Sequence, residues 1–205
     1  KNFREGPAGR RILIACSGGP DSMALLDVAD RWRKMTGAFV AVGHVDHGLR
    51  GRASQADATF VQNECARRGI PFGVLGVPVR AWARRRRRGL EDAARELRYR
   101  SLAQLARQFR CASVATAHTL DDQVETVFLN LIRGTGPAGL AGMAEAGPWP
   151  FSGPGRTPRL IRPFLNVPKK EILRYLRARK IPFRVDASNA LPLFLRNRLR
   201  PVLRS

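Results

Sequence analysis

Short apolar runs alternate with longer amphipathic segments along almost the whole chain. Runs that predict buried strands lie at 11–16, 39–45, 72–79, 112–117 and 160–165, and segments with helical periodicity lie at 23–32, 54–68, 91–109, 121–133 and 169–180. Strands that alternate with helices form parallel sheets covered on both faces. The 205 residues, 44% of them hydrophobic, suffice for one core. The sequence therefore predicts an α/β fold with a parallel twisted sheet and helices on both faces.

Three polar clusters fall where predicted strands end, at 17–22, 44–50 and 118–122. In parallel α/β sheets, ligands bind beyond the carboxyl ends of the strands, where the loops converge. Independent strand ends rarely all carry such groups by chance. We therefore expect one composite site at this edge of the sheet.

The first cluster is a glycine loop between a buried strand and a helix, with the sequence Ser17, Gly18, Gly19, Pro20, Asp21 and Ser22. Glycines let backbone amides approach an anion, and a helix N-terminus favours negative charge. The loop has no lysine and no Walker ending. Asp21 repels bare phosphate, which predicts bound Mg²⁺ or a role in positioning a leaving pyrophosphate. The alternative is an ordinary turn with Asp21 or Ser22 as helix cap.

Acidic residues concentrate after the fourth predicted strand, where Asp121, Asp122 and Glu125 lie within five residues. Carboxylates there can bind Mg²⁺ or a substrate ammonium, and Asp122 is the catalytic and metal-binding candidate beside Asp21. The alternative is a solvated first turn favoured by the helix dipole. His118 is a candidate contact for phosphate or a nucleotide base, or a structural histidine.

His44, Asp46 and Gly134 complete the predicted nucleotide site. The first two follow the second strand, where the ribose or adenine of a nucleotide would lie, although Asp46 is equally suited to bond its own backbone in a turn. Gly134 either brings backbone amides near the ligand or ends the preceding helix.

Positive charge dominates the composition, with 37 Lys and Arg against 16 Asp and Glu, a net charge of +21 and a pI near 11.7. Such an excess indicates a polyanionic partner. An apolar run of ~18 residues is missing, as is an export leader, which favours nucleic acid over membrane. Arg84 and Arg86 belong to an arginine run at 84–88, in a predicted loop, that is typical of phosphate contacts. Codon bias in the source genome is the alternative explanation of the arginine excess. A solvated loop without a ligand is the alternative for the run at 84–88.

The three cysteines are widely spaced in apolar contexts and form no CxxC pair. They predict buried thiols in a reducing compartment, hence a cytoplasmic protein. Residues 1–205 are expected to form one domain. Within it, glycine and proline predict loop over most of 134–158, with 147–158 a flexible crossover, and 186–205 form a basic C-terminal motif.

Residues 17–22 resemble the PP-loop of ATP pyrophosphatases. With the segments at 44–50, 91–99, 115–126, 133–136, 186–189 and 196–200, they make the chain similar, from 12 to 200, to the N-terminal domain of the bacterial tRNA(Ile)-lysidine synthetase family. The resemblance implies a Rossmann-like fold of the adenine nucleotide alpha hydrolase type, with ATP and Mg²⁺ as cofactors. It also implies that free L-lysine is joined to C2 of the wobble cytidine in tRNA(Ile) with a CAU anticodon, through an adenylated intermediate, with release of AMP and diphosphate.

The same resemblance implies roles for arginines. Arg196 is expected to act in catalysis, and Arg95 and Arg200 to lie on the lysine or tRNA side. It suggests a homodimer, and residues 1–205 are expected not to include the C-terminal tRNA-binding region of the family. Two rival interpretations remain: a PP-loop tRNA thiolase, which generally needs paired active-site cysteines, and a nucleotide- or RNA-binding module without catalysis, which has no need of the carboxylates.

Overall fold

The computed structural model describes residues 11–49, 51–132, 134–151 and 155–185. Six strands form one sheet in the order β3-β2-β1-β4-β6-β5. They are β1 (Arg11–Ala15), β2 (Phe39–Asp46), β3 (Phe72–Gly76), β4 (Ser113–Ala115), β5 (Ala146–Gly147) and β6 (Arg159–Ile161). Neighbouring strands are parallel except β5, which is antiparallel to β6. The predicted parallel α/β sheet is confirmed.

Seven helices lie in the described part of the chain: α1 (Pro20–Thr36), α2 (Arg52–Arg68), α3 (Val79–Arg86), α4 (Leu90–Gln108), α5 (Leu120–Ile132), α6 (Pro137–Leu140) and α7 (Lys169–Ala178). Two apolar layers separate four of these helices from the sheet. Side chains of α1, α2 and α7 pack on one face, and those of α4 pack on the other. β1 shows why, because Ile12 and Ile14 enter the first layer while Leu13 enters the second, as strand alternation requires.

Two paired glycines let α4 approach the sheet closely. Gly43 of β2 is in register with Gly73 of β3. A Cβ atom on Gly73 would stand 2.7 Å from Leu105 and 2.9 Å from Phe109, and one on Gly43 would stand 3.1 Å from Leu105. The contacts at Gly73 are closer than real Cβ atoms make, and the contact at Gly43 is tighter than most, so a side chain at either position would force the facing side chains to shift.

The predicted loop around the arginine run is wrong, because Arg84 and Arg86 lie in α3. The predicted third strand also ends early, at Gly76, and Val79 begins this helix. Val79 and Ala83 are one helical turn apart and pack with α4 residues in a third apolar cluster. The helix was not predicted because its apolar face consists of only two buried residues, next to five consecutive arginines.

Two further expectations about the second half of the chain need correction. The predicted strand at 160–165 stops at Ile161 because Pro163 follows in a turn and cannot donate to a sheet ladder. The stretch 134–158, expected to hold no regular element beyond a short turn, contains α6 and β5. Trp149 and Phe151, in the predicted flexible crossover, pack against Tyr99 with ring centroids 5.2 and 5.8 Å away.

No helix in the part of the chain that the structure describes is long and apolar enough to cross a membrane.

Candidate functional site

The strand order changes direction between β1 and β4. The chain passes from β1 outward to β2 and β3, then returns to place β4 on the other side of β1. Loops that leave the carboxyl ends of such a pair diverge, and the crevice between them is where ligands of open α/β sheets bind. Here the loop after β1 is the glycine loop at 17–22, and the turn after β4 carries His118 and the acidic cluster.

Hydrogen bonds around Ser22 hold the glycine loop in shape. Its hydroxyl donates to the carbonyl of Gly19 at 3.0 Å and accepts from the backbone N–H of Ser17 at 3.2 Å. Gly18 has φ of 88° and lies 3.3 Å from Val61, measured from an ideal Cβ, so a side chain would be both strained and crowded. Pro20 begins α1 with Gly19 as the N-cap, and no side chain caps the helix. The alternative that Asp21 or Ser22 serves as cap is therefore wrong.

A lysine that the sequence analysis did not include in the site joins Asp21 of the glycine loop to Asp121 of the acidic cluster. The Nζ of Lys169, at the start of α7, donates to Asp21 Oδ2 at 2.9 Å, and its backbone N–H donates to Asp121 Oδ2 at 2.8 Å. One residue thus bridges the glycine loop and the acidic turn. Proximity in space, not in sequence, creates this pairing, and Pro168 at a helix start was the only local signal.

Opposing effects act on the pKa of the Asp21 carboxyl group. Burial raises its pKa, Lys169 lowers it, and the neighbouring carboxylates of Asp122 and Asp121 raise it again. Its Oδ1 is buried without a hydrogen-bond partner among the described residues. A buried oxygen left in this state is suited to a cation or a donor that arrives with the substrate.

Asp122 forms a capping arrangement with Thr119 at the N-terminus of α5. Its Oδ2 accepts from the backbone N–H and from the hydroxyl of Thr119, both at 2.9 Å. This explains part of the acidic turn structurally, as the alternative interpretation expected. It also fixes the direction of the carboxylate. Glu125, one turn further along α5, is buried.

His118 is neutral in this environment. Burial lowers its pKa to about 3, with further lowering from Arg98, Arg162 and Arg95 that the carboxylate of Asp122 only partly offsets. Its Nδ1 is 2.9 Å from the hydroxyl of Thr116. Neutral imidazole beside arginines can donate or accept a hydrogen bond without adding charge.

Arg95 therefore lies near the predicted site, as its position in the sequence motif suggested. Its guanidinium stands 5.2 Å from the centre of the Tyr99 ring, and that of Arg98 stands 5.3 Å away. Tyr99 is fully buried. The Tyr99 ring thus makes cation–π contacts with two guanidinium groups close to His118.

The structure places His44 beside the glycine loop and Asp46 in a turn. His44 is buried, and its Nδ1 is 2.9 Å from the carbonyl of Cys16, the residue before the loop. Asp46 Oδ1 accepts from the backbone N–H of Gly48 at 2.8 Å, the turn bond that the alternative interpretation expected. Gly134, with φ of 68°, donates to the carbonyl of Leu131 and so ends α5.

Arg84 and Arg86 lie apart from this crevice, exposed on the outer helix α3. Arg196 and Arg200 lie outside the described residues. The chain nevertheless returns to the loop after α7, because the backbone N–H of Arg184 donates to the carbonyl of Gly18 at 2.9 Å and its guanidinium pairs with Asp57.

Asp21 and Asp122 could hold Mg²⁺ together with the phosphates of a substrate. Among the described residues, no group of three or more His, Cys, Asp and Glu side chains can hold a metal by itself. Mg²⁺ is commonly bound by one or two carboxylates together with substrate phosphates. The buried Oδ1 of Asp21, with Asp122 nearby, meets that requirement.

A cavity of ≈ 350 Å³ opens elsewhere, between α1 and α7. Its lining is mostly apolar and includes Val28, Phe164, Val167 and Ile172, and none of the predicted site residues borders it. It is separate from the crevice described above.

Comparison with known families decides the class of the domain. The family described as the PP-loop domain matches residues 1–204. The chain belongs to the PP-loop domain family. Membership supports use of ATP, and it agrees with a glycine loop at the switch point of a parallel sheet.

Curated relatives of this PP-loop domain include tRNA(Ile)-lysidine synthases. The protein of that name from Dehalococcoides mccartyi is 39% identical over 94% of the chain, and those from Rhodopseudomonas palustris and Methylobacterium nodulans are 42% and 43% identical over 98% and 97%. The PP-loop domain spans 41%, 56% and 54% of these three relatives, about half their length.

Solved structures share the fold of this PP-loop domain. A U34-tRNA thiolase from Methanococcus maripaludis superposes with a TM-score of 0.73 over 94% of the chain and 64% of the thiolase, at 18% identity. A glutamine-dependent NAD⁺ synthetase from Acinetobacter baumannii gives 0.53 over 83% of the chain and 29% of the synthetase, at 15% identity. These likenesses confirm the fold and carry no further conclusion about activity.

Proposed function

We propose that this PP-loop domain is the catalytic part of a tRNA(Ile)-lysidine synthase. With ATP it activates C2 of the wobble cytidine of a CAU anticodon, free L-lysine attacks that carbon, and AMP and diphosphate leave. The observation that carries the proposal is identity of 39–43% to enzymes of that name across nearly the whole chain. The crevice between β1 and β4 supports it, because it combines a phosphate-type loop with carboxylates.

The glycine loop is the proposed phosphate site. Ser17 and Ser22 supply hydroxyls, Gly18 and Gly19 permit close approach of the backbone, and Pro20 fixes the start of α1. We place the nucleoside beside His44 and Asp46, next to the loop, with Gly134 on its outer side. Mg²⁺ would be held by Asp21 and Asp122 with phosphate oxygens, where it would neutralise charge on the leaving pyrophosphate.

The acidic turn is the proposed lysine site. An incoming lysine is a cation whose amine must lose a proton before it attacks. Asp121 and Glu125 provide carboxylates on one helix for the ammonium groups, and neutral His118 stands beside them to meet the activated cytidine without repelling its positive character. Arg95 supplies the neighbouring cation, Arg196 is proposed to act in catalysis, and Arg200 is proposed to serve the lysine or tRNA side.

The exposed arginines are the proposed tRNA contact. Arg84 and Arg86 belong to five consecutive exposed arginines at 84–88, at the end of α3. A helix end studded with guanidinium groups suits a phosphate backbone and reads no sequence by itself.

The thiolase alternative is less well supported, because the cysteines are separated. Cys16 and Cys65 lie in the apolar layer of α1 and α2, whereas Cys111 lies on the opposite face of the sheet. All three are buried, and burial raises their pKa values. Thiols in this state do not form a shared active-site cluster, and they suit the reducing environment of the cytoplasm, where we place the reaction.

The test supplies the full-length protein with ATP, Mg²⁺, radiolabelled lysine and a CAU-anticodon tRNA. Label entering the RNA, with AMP formed only when lysine and tRNA are both present, is the expected result. A tRNA with a CAC anticodon is the matched control. AMP formation with a sulfur donor instead of lysine would favour the thiolase, and nucleotide binding without AMP would favour the non-catalytic module.

We also propose that a second copy binds along α5. Val124, Phe128, Leu131 and Ile132 are 45, 40, 52 and 56% exposed on this helix. α5 contains acidic residues and no Lys or Arg, so in a chain of net charge +21 a contact along this helix brings together no positive side chains from the helix itself. Phe128→Glu should yield a monomer in sedimentation equilibrium, and Met35→Glu, on exposed α1 surface, should not. A wild-type monomer at high concentration would end this proposal.

A further inference from the structure

The glycine loop faces an electrostatic problem that its own residues do not solve. A nucleotide triphosphate brings several negative charges to a crevice that already holds Asp21, Asp121 and Asp122, which are close enough to act on one another. Loops of the Walker type meet phosphates with a lysine of their own. Residues 17–22 contain none.

Lys169 provides a cation at this place from 148 positions further along the chain. Its Nζ is 2.9 Å from Asp21 Oδ2, and its side chain keeps 31% of its surface exposed. An ammonium group has three N–H donors, and Asp21 takes one of them. Two donors therefore remain for oxygens of a ligand in the crevice.

The base of Lys169 is held firmly while its tip is not buried. Its backbone N–H donates to Asp121 at 2.8 Å, which ties the first turn of α7 to the acidic turn. The far end of α7 is tied to α1, because the Tyr175 hydroxyl donates to Asp27 at 2.7 Å and Arg179 pairs with the same carboxylate at 3.2 Å. A long flexible side chain on a doubly anchored helix can shift its ammonium between a carboxylate and a phosphate without moving the backbone.

The pairing with Asp21 does not explain Lys169 as a stabilising ion pair. The Lys169 and Asp21 side chains keep 31% and 21% of their surface exposed, so solvent screens the pair and it adds little to folding. Its placement in the crevice therefore calls for another reason.

We infer that Lys169 is the catalytic cation for the pyrophosphate leaving group, and that it takes the place of the lysine missing from the glycine loop. This inference rests on the proposed function. In that reaction the O2 oxygen of cytidine attacks the α-phosphorus of ATP, and the bond from this phosphorus to the α–β bridging oxygen breaks. The bridging oxygen keeps the electron pair and leaves on pyrophosphate. Lys169 stays protonated and donates hydrogen bonds to that group as its charge grows.

The experiment compares Lys169→Met and Lys169→Arg with Lys170→Met in the full-length protein. Lys170 is the adjacent, exposed lysine on the same helix, so it controls for loss of charge. We expect Lys169→Met to lower kcat for AMP formation about 10²-fold or more with a small change in the KM for ATP. Lys169→Arg should restore part of kcat, and Lys170→Met should leave it unchanged. Inorganic pyrophosphate, measured by calorimetry, should bind Lys169→Met at least about tenfold more weakly than wild type.

A double variant separates this role from a structural one. If Lys169 only neutralises Asp21, Asp21→Asn with Lys169→Met should bind pyrophosphate as wild type does; if it binds the leaving group, the double variant should remain as weak as Lys169→Met. Wild-type pyrophosphate affinity and kcat in Lys169→Met would overturn the inference while leaving the proposed function intact. Absence of lysine-dependent AMP in the wild type would instead defeat the proposed function, and pyrophosphate binding would still judge Lys169.

Discussion

The crevice between β1 and β4 and the outer helices α3 and α4 both carry dense charge, yet they treat it in opposite ways. In the crevice, Asp21 is partly buried and Asp121 is exposed, and one lysine bridges the two carboxylates. On α3 and α4, a single buried acid, Glu96, pairs with Arg100 at 2.9 Å and lies 3.7 Å from Arg88, while most of the neighbouring arginines remain exposed.

The difference indicates what each region is arranged to meet. The Asp21 carboxylate is partly buried and has one oxygen without a hydrogen-bond partner among the described residues. Such a group suits a small ligand that brings its own cations and donors. Exposed guanidinium groups suit a large polyanion that arrives from solvent and displaces counterions. Because the crevice carboxylates and the exposed arginines at 84–88 lie on different elements, substitutions in one of these two sets should leave the function of the other unchanged.

The largest expected effect is that of Asp21→Asn on the crevice. AMP formation should fall by about 10²-fold or more, because a cation held by this carboxylate contributes several kcal/mol. The salt dependence of tRNA binding should not change. Steady-state kinetics and filter binding test both halves, and Asp92→Asn, an exposed acid of α4, is the control.

Stability should move in the opposite direction. Because the folded-state pKa of Asp21 is raised, the unfolded chain gives up this proton more readily, and the stability present at low pH is lost as pH rises through the folded pKa. Asp21→Asn should therefore unfold at neutral pH at the same temperature as wild type or higher. A lower melting temperature would mean that the ion pair with Lys169 dominates.

Replacing the five arginines at 84–88 with glutamine should give the next largest effect. The slope of log affinity for tRNA against log salt should become shallower by about 0.7 to 0.9 for each phosphate that these arginines neutralise in the wild type. The KM for ATP should stay constant. Arg174→Gln with Arg177→Gln, two exposed arginines of α7, is the matched control, and an equal loss of ATP affinity would contradict the separation of the regions.

A smaller effect is expected from Glu96→Gln. Glu96 joins α4 to α3 by accepting from the indole N–H of Trp82, at 3.4 Å, and it pairs within α4 with Arg100. Weakening these charge-assisted bonds should cost about 1 to 2 kcal/mol of local stability. Hydrogen exchange of α3 amides should accelerate while that of α1 does not. Glu91→Gln, on the exposed first turn of α4, should leave both unchanged.

His118→Asn should have the smallest effect on stability at neutral pH, and this effect should grow as the pH falls. The pKa of His118 is lowered to about 3 in the folded protein, whereas an unfolded histidine titrates near ~6.5. Between these values the unfolded state binds more protons, so wild-type stability should fall as pH decreases. The asparagine variant should show a flatter profile between about pH 6.5 and 4 in urea titrations. Identical profiles would mean that His118 titrates normally.

Sequence reasoning succeeded where the information is local. The strand ends, the glycine loop and the acidic turn are each contiguous, so periodicity and motif placed them near one edge of the sheet. Lys169 was missed because its meeting with Asp21 depends on how α7 packs on α1, which no local pattern encodes. α3 was missed because Val79 and Ala83 offer only two buried positions among arginines. Sequence alone did not identify Thr119 as the partner of Asp122, because an acidic first turn of a helix is compatible both with a ligand site and with a cap.

The hydrogen bond from Arg184 to Gly18 bears on how this domain can be engineered. The glycine loop is contacted by its own helix, by the start of α7 through Lys169, and by the segment that leaves α7. Copying residues 17–22 onto another strand and helix would transfer the turn but not these contacts. A graft meant to cleave a nucleotide would have to carry α7 and its exit segment as well, so the smallest transferable unit is a three-part assembly rather than a six-residue motif.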